Sequence, residues 1–179
     1  MKSDQMNENV LNGETKSFLS FKLDGENFTI PVMKIMEILE VPKITKVPQS
    51  PNFLVGVINL RGAVLPVIDT RIKFGMTPIE FTINTCILVL SIEVNEEVIE
   101  VGALVDSVSE VFELNTNEIK QTPTLASRYR SDYVQGMIQE NDHFIMMLDV
   151  DKVFSSNDLD SINIASEANV KLEETHTKE

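Results

Sequence analysis

The stretch "GVINLRGAVLPVIDTR", residues 56–71, carries two apolar arms around a polar tip, Asn59-Leu60-Arg61-Gly62. Val and Ile dominate the arms, and branched side chains suit a pleated, half-buried surface, so both arms are read as β-strands. Gly62 stands where a tight turn favours a residue without Cβ. Closing a turn requires neither Leu nor Arg, so Leu60 and Arg61 call for a different explanation.

A second hairpin of the same pattern lies 80 residues on. That shift sets Gly136 on Gly56, Ile138 on Ile58, Asp149 on Asp69 and Phe154 on Phe74 without a gap. A shift of 73 residues lays "FTIPVMKIMEILEV" on "VGALVDSVSEVFEL", matching Glu37 to Glu110 and Glu40 to Glu113. Because the matches keep their order in both halves, an internal duplication is expected. The repeat implies two similar small β-barrels or curled sheets of about five strands each. Lobes so small bury little alone, so they should share a core and leave a groove between them for binding.

The rest of the body fits an all-β chain. "SFLSFKL", the turn "DGEN" and "FTI" read as a hairpin. In the second half of "PVMKIMEILEV" the residues Ile35, Glu37, Leu39 and Val41 are read as a strand with the acid on the other face. Prolines 42, 48 and 51 make the next segment a loop. A loop "FGMTPIEFTIN", strand "TCILVLSI", a long turn in "SIEVNEEVIEV" and one strand "VIEVGALVDSVSEVFEL" follow. The last strand pair is "YVQGMI" and "HFIMMLDV". Residues 1–15 are polar and read as a flexible arm. Residues 156–179 are acidic, and Leu159, Ile162 and Ala165 suggest a short helix before a frayed tail.

Composition narrows the function. The chain has 179 residues, 42% of them hydrophobic, so it is globular rather than disordered. Its formal charge of −13 opposes a nucleic-acid-binding role and adhesion to an anionic membrane. No stretch reads as a signal peptide or membrane span, which points to a cytoplasmic protein. The single cysteine, Cys86, is read as a structural thiol inside a strand.

No catalytic set is visible. His143 and His176 lack partners at ligand spacing, so neither a metal nor a cofactor is expected. Asp149 and Asp151 are read as solvated carboxylates at a strand end rather than as a cation site. The tip is a different matter. The second hairpin carries Glu140-Asn141-Asp142 where the first carries Leu60-Arg61-Gly62, so the fold does not need Leu-Arg to turn. An exposed Leu beside an Arg has the composition of an interface anchor. Glu37 could pair with Arg61 across the lobe, which sequence alone does not show.

The string "PNFLVGVINLRGAVLPVIDTRIKFGM" resembles the signature of the CheW family of bacterial chemotaxis. The likeness continues through "VDSVSEV" and "YVQGMI" to "FIMMLDVDKVF", over residues 16–155. It implies an all-β fold of two intertwined, SH3-like five-stranded barrel lobes around a shared hydrophobic core. It further implies a non-enzymatic adaptor at receptor arrays beneath the inner membrane. The partners implied are the cytoplasmic tips of chemoreceptors and the regulatory domain of the chemotaxis histidine kinase. By motif position, the resemblance assigns partner binding to Ile35, Glu37, Gly56, Asn59, Leu60, Arg61 and Val111. The alternative to a chemotaxis adaptor is a scaffold in another two-component pathway. An enzyme using Asp149, Asp151 and His143 is the weakest of the three.

Overall fold

The computed structural model describes residues 13–122, 131–154 and 157–160. Among the described residues ten strands form two five-stranded sheets. They are β1 (Thr15–Leu23), β2 (Glu26–Pro31), β3 (Ile35–Glu40), β4 (Leu54–Leu60), β5 (Ala63–Asp69), β6 (Cys86–Val94), β7 (Glu97–Val105), β8 (Ser107–Asn115), β9 (Val134–Glu140) and β10 (His143–Leu148). One sheet runs β8-β1-β2-β10-β9 and the other β3-β6-β7-β5-β4. The all-β class and the two five-stranded, SH3-like lobes are as expected.

The sheet orders superpose strand for strand, β3 on β8, β6 on β1, β7 on β2, β5 on β10 and β4 on β9. The repeats are therefore β1–β5 and β6–β10, and neither is a lobe. Each repeat gives two strands to one sheet and three to the other, crossing between β2 and β3 or between β7 and β8. The run read as one strand over residues 98–114 is thus two strands, broken at Asp106 where the chain changes sheets. Each sheet also has one parallel pair, β5 with β7 and β10 with β2.

The sheets close through the chain beyond their edge strands. Thr45, past β3, bridges Val57 of β4 with N···O distances of 2.9 and 2.8 Å. Lys120, past β8, bridges Met137 of β9 in the same way at 2.8 Å. These bridges bring the two ends of each sheet together.

The central strands read as unbroken apolar runs because they are covered on both faces. Ile87 to Leu90 of β6, Val101 to Val105 of β7 and Phe18 to Phe21 of β1 are all buried. One core joins Phe21, Phe28 and Ile30 of the first sheet to Leu88, Leu90 and Leu104 of the second. A smaller cluster of Phe18, Ile138, Ile145 and Met147 fills the interior of the first lobe. The seam between lobes is filled rather than grooved, with a void of about 10 Å³ among Phe21, Ile30, Leu88, Leu90 and Phe154.

Four local expectations need correction. A helical turn, α1 (Thr70–Lys73), follows β5 where the second arm of the hairpin was expected to run on to Arg71, because Asp69 caps it by accepting from Arg71 N and Ile72 N. A second turn, α2 (Val150–Val153), follows β10, so Asp149 and Asp151 are a cap and a helical residue rather than solvated groups on a strand face. Between β6 and β7 the turn is not long but two residues, Asn95 and Glu96, both at positive φ. Glu37 shares the half-buried face of β3 with Ile35 and Leu39, since period-two alternation places it there. At the chain ends, β1 already begins at Thr15, and residues 157–160 are helical. The rest of the expected C-terminal helix, including Ile162 and Ala165, lies outside the described residues, as does most of the N-terminal arm.

Candidate functional site

The tip of the β4–β5 hairpin is a two-residue turn with Arg61 at φ 50° and Gly62 at φ 85°. Asn59 Oδ1 braces it by accepting from Gly62 N at 2.8 Å. The other three hairpins place Asp24, Asn95 and Asn141 at the matching left-handed position, with φ of 51°, 50° and 52°. Asp and Asn tolerate that conformation, whereas a long side chain such as Arg costs on the order of 1 kcal/mol there. Arg61 thus occupies a position the fold would fill better with Asn. A residue kept against local preference is a marker of function.

What holds the guanidinium is Glu37. The Arg61 guanidinium forms an ion pair and hydrogen bond with Glu37 Oε2, from the far edge of the same sheet. Arg61 remains 75% exposed while Glu37 is 30% exposed. The pair steadies Arg61 while leaving most of its surface free.

The other expected residues spread around this pair. Ile35 opens β3, half-buried against the core. Leu60 is half-buried too and packs on the core, so it is not the exposed anchor its position suggested. Gly56 is buried, at φ 155°, and an added Cβ would lie 2.3 Å from Thr45 O. Its immediate job is to let the chain past β3 press onto β4. Gly136 does the same for the second lobe, where a Cβ would meet Lys120 O at 2.9 Å. Val111 is set apart, on edge strand β8 of the other sheet, 59% exposed.

Two residues beside the pair escaped the sequence reasoning. Met36 and Ile38 alternate with Ile35 and Glu37 along β3 and face outward, 59% and 47% exposed. An apolar outer face on an edge strand is the available signal, and such edges are natural docking surfaces. Ile38 and Val111 are repeat mates at the 73-residue shift, so each sheet offers an exposed branched residue at the same place.

A groove of about 930 Å³ lies at one end of the second lobe, not between the lobes as expected. Ile44, Val47, Leu54, Val55, Ile79 and Phe81 are among its lining residues, and Lys46 also borders it. Among the described residues no group of three or more His, Cys, Asp or Glu side chains is placed to hold a metal ion. Burial raises the pKa of the half-buried Cys86 thiol, which makes it a poor nucleophile at neutral pH. None of the described helices is long and apolar enough to cross a membrane.

Comparison with known proteins identifies the family of this fold. The CheW-like domain family matches residues 17–158. The chain is 31% identical to the chemotaxis protein CheW of Klebsiella aerogenes over 151 residues, covering 83% of this chain and 89% of that protein. It is 31% identical to CheW of Helicobacter pylori over 147 residues, covering 82% and 86%. The crystal structure of the scaffolding protein TtCheW from Thermoanaerobacter tengcongensis superposes with a TM-score of 0.71 at 26% identity, covering 86% of this chain and 96% of that one. With the matched span, the identities and the shared two-sheet architecture in agreement, the chain belongs to the CheW family of chemotaxis adaptors.

Proposed function

We propose that the protein is a non-enzymatic cytoplasmic adaptor that couples the cytoplasmic tips of chemoreceptors to the regulatory domain of the chemotaxis histidine kinase. The observation that carries this is Arg61, held at a left-handed turn position and steadied by Glu37 while three-quarters exposed. Arg61 and Glu37, with Ile35, Asn59 and Leu60 around them, form the kinase-facing surface, and Gly56 shapes the backbone beneath. Met36 and Ile38 extend that surface with apolar area. Val111, on the other sheet, serves a second contact, so that one adaptor joins two partners. Individual contacts of this size bind weakly, and linkage within an array supplies the avidity.

The test is calorimetric titration of the wild-type protein and Arg61→Asp with the regulatory domain of the kinase from the same cell. A receptor cytoplasmic fragment is titrated in parallel. The expected result is wild-type binding to both, with at least a tenfold loss for the variant toward the kinase domain alone. Equal binding by both forms would remove Arg61 from the site, and no wild-type binding to either partner would overturn the coupling role. Binding instead to a kinase of another two-component system would keep the scaffold and change its pathway.

A further inference from the structure

Away from the adaptor surface, the two places where the chain crosses between sheets are each fastened by an ion pair. At the β7–β8 crossover, Asp106 accepts from Arg71 Nε of α1 at 2.8 Å and pairs with a second nitrogen of the same guanidinium. Asp24 N, at the β1–β2 turn, also donates to Asp106 Oδ2 at 2.8 Å. At the β2–β3 crossover, Lys34 Nζ reaches Asp151 of α2 at 2.7 and 3.0 Å. Glu93 N, near the β6–β7 turn, donates to Asp151 Oδ1 at 2.8 Å. The layouts correspond in kind, each with a crossover residue, a residue of the turn after the hairpin and a backbone N–H near another hairpin turn. The crossover residues are one position out of register, Lys34 falling on Ser107 and Asp106 on Met33 at the 73-residue shift. Arg71 and Asp151 are repeat mates at the 80-residue shift.

The charges, however, are inverted. The first repeat supplies both cations, Lys34 on its crossover and Arg71 on α1, and also the exposed Asp24, whose Oδ1 lies 3.4 Å from Arg71 Nη1. The second supplies both anions, Asp106 on its crossover and Asp151 on α2. In this strand-exchanged fold the crossover of one repeat always meets the helical turn of the other. Two first repeats brought together would set Lys34 against Arg71, and two second repeats would set Asp106 against Asp151. Both like pairings juxtapose equal charges in partly buried sites, and only the unlike pairing satisfies all four groups.

We infer that the two clasps form a charge code by which each repeat accepts only the unlike repeat, so that the chain closes on itself instead of exchanging like repeats with a second copy. The hazard is specific to a duplicated fold whose lobes are built across repeats. The apolar strands of the two repeats are interchangeable in character, and the hydrophobic effect does not tell them apart. Opposite charges on the two crossovers and on the two helical turns do. This assignment is independent of partner binding.

The code can be inverted at constant net charge. Lys34→Asp with Asp106→Lys exchanges the crossover charges, making both clasps repulsive within a chain and attractive between like repeats of two chains. Adding Arg71→Asp and Asp151→Lys restores attraction within the chain. Lys34→Gln with Asp106→Asn only removes the crossover charges. All are full-length chains, measured by light scattering after size exclusion and by thermal unfolding.

The exchanged variant should melt lowest, roughly 5 °C or more below the neutral one, and form dimers as concentration rises. The fully inverted variant should be monomeric and recover most of that loss. An exchanged variant as stable and as monomeric as the neutral one would overturn the code. Should the exchanged variant fail to fold, Lys34→Gln, Lys34→Asp and Lys34→Asp with Asp151→Lys pose the same question at one clasp. Reversal must then fall below neutralisation and double reversal must recover. Equality of the first two overturns the proposal.

Discussion

The hairpins β4–β5 and β9–β10 are one design used twice, and they differ mainly where they face outward. Both begin beside an aromatic residue whose carbonyl accepts from the capping aspartate, Phe53 O from Asp69 N and Tyr133 O from Asp149 N, each at 2.8 Å. Both hold a glycine under a bridging segment, Thr45 over Gly56 and Lys120 over Gly136. Both end in a capped helical turn and a buried phenylalanine, Phe74 or Phe154. At the tips the likeness stops, with Arg61 and Gly62 in one and Asn141 and Asp142 in the other. What the pair shares is what the fold requires. What it does not share is available to function, and the adaptor surface proposed above lies on the first hairpin.

The comparison can be broken first at the glycines. Gly56→Ala drives a Cβ onto Thr45 O at positive φ, and should cost about 3–5 kcal/mol in urea unfolding. Gly136→Ala meets the movable Ile119 Cγ2 at 2.6 Å and the backbone Lys120 O only at 2.9 Å, without a positive φ, and should cost less. Equal losses would mean that the two bridges are under equal constraint.

The caps come next. Asp69 is buried and accepts from Arg71 N, Ile72 N and also Ile79 N at 3.0 Å, tying down the following loop. Asp149 accepts from Lys152 N at 3.3 Å and pairs with Lys152 Nζ. Asp69→Ala should therefore cost about 2–3 kcal/mol, and Asp149→Ala about 1 kcal/mol, in the same denaturation experiment.

Smaller effects on stability are expected at the tips. Asn141→Arg should cost about 1 kcal/mol, and Arg61→Asn should be neutral or stabilising by a few tenths, since it loses an exposed ion pair but relaxes the turn. If Asn141→Arg costs nothing, the left-handed position carries no penalty for Arg, and the case that Arg61 is retained for function weakens.

The smallest effect belongs to Cys86, which opens β6 where its counterpart β1 opens on Thr15. Its folded-state pKa is raised by burial, so the protonated thiol is favoured in the fold. The associated stability is present below the unfolded thiol pKa of about 8.5 and is lost as pH rises through the folded value. Wild-type stability should thus decline slightly above that pH relative to Cys86→Ala, as measured by parallel denaturant titrations.

Much of this molecule could be read along the chain. Most strands, the duplication and the decisive hairpin follow from local pattern or from comparing one half with the other, whereas the Glu37–Arg61 pair, joining opposite edges of a sheet, is seen only in the fold. Side-chain alternation and turn chemistry are properties of neighbouring residues, and a repeat preserves them together. The split of residues 98–114 into β7 and β8 was hidden, because both strands are rich in apolar residues and a single Asp106 between them looks like any outward-facing acid. Leu60 was misjudged for a related reason. Its place in a turn suggests exposure, but the curl of the sheet folds it onto the core.

The sequence by itself therefore determined the all-β class, the twofold repeat and the hairpin whose tip departs from the repeat. Each is written in short-range periodicity or in residues that one half has and the other lacks. Only the tertiary structure decided that the lobes are made across repeats, that Gly56 lies beneath Thr45, and that Lys34 meets Asp151 while Arg71 meets Asp106. Those facts depend on which apolar strand packs against which. Burial rewards every such pairing nearly alike, so the choice rests on the closure of the whole chain.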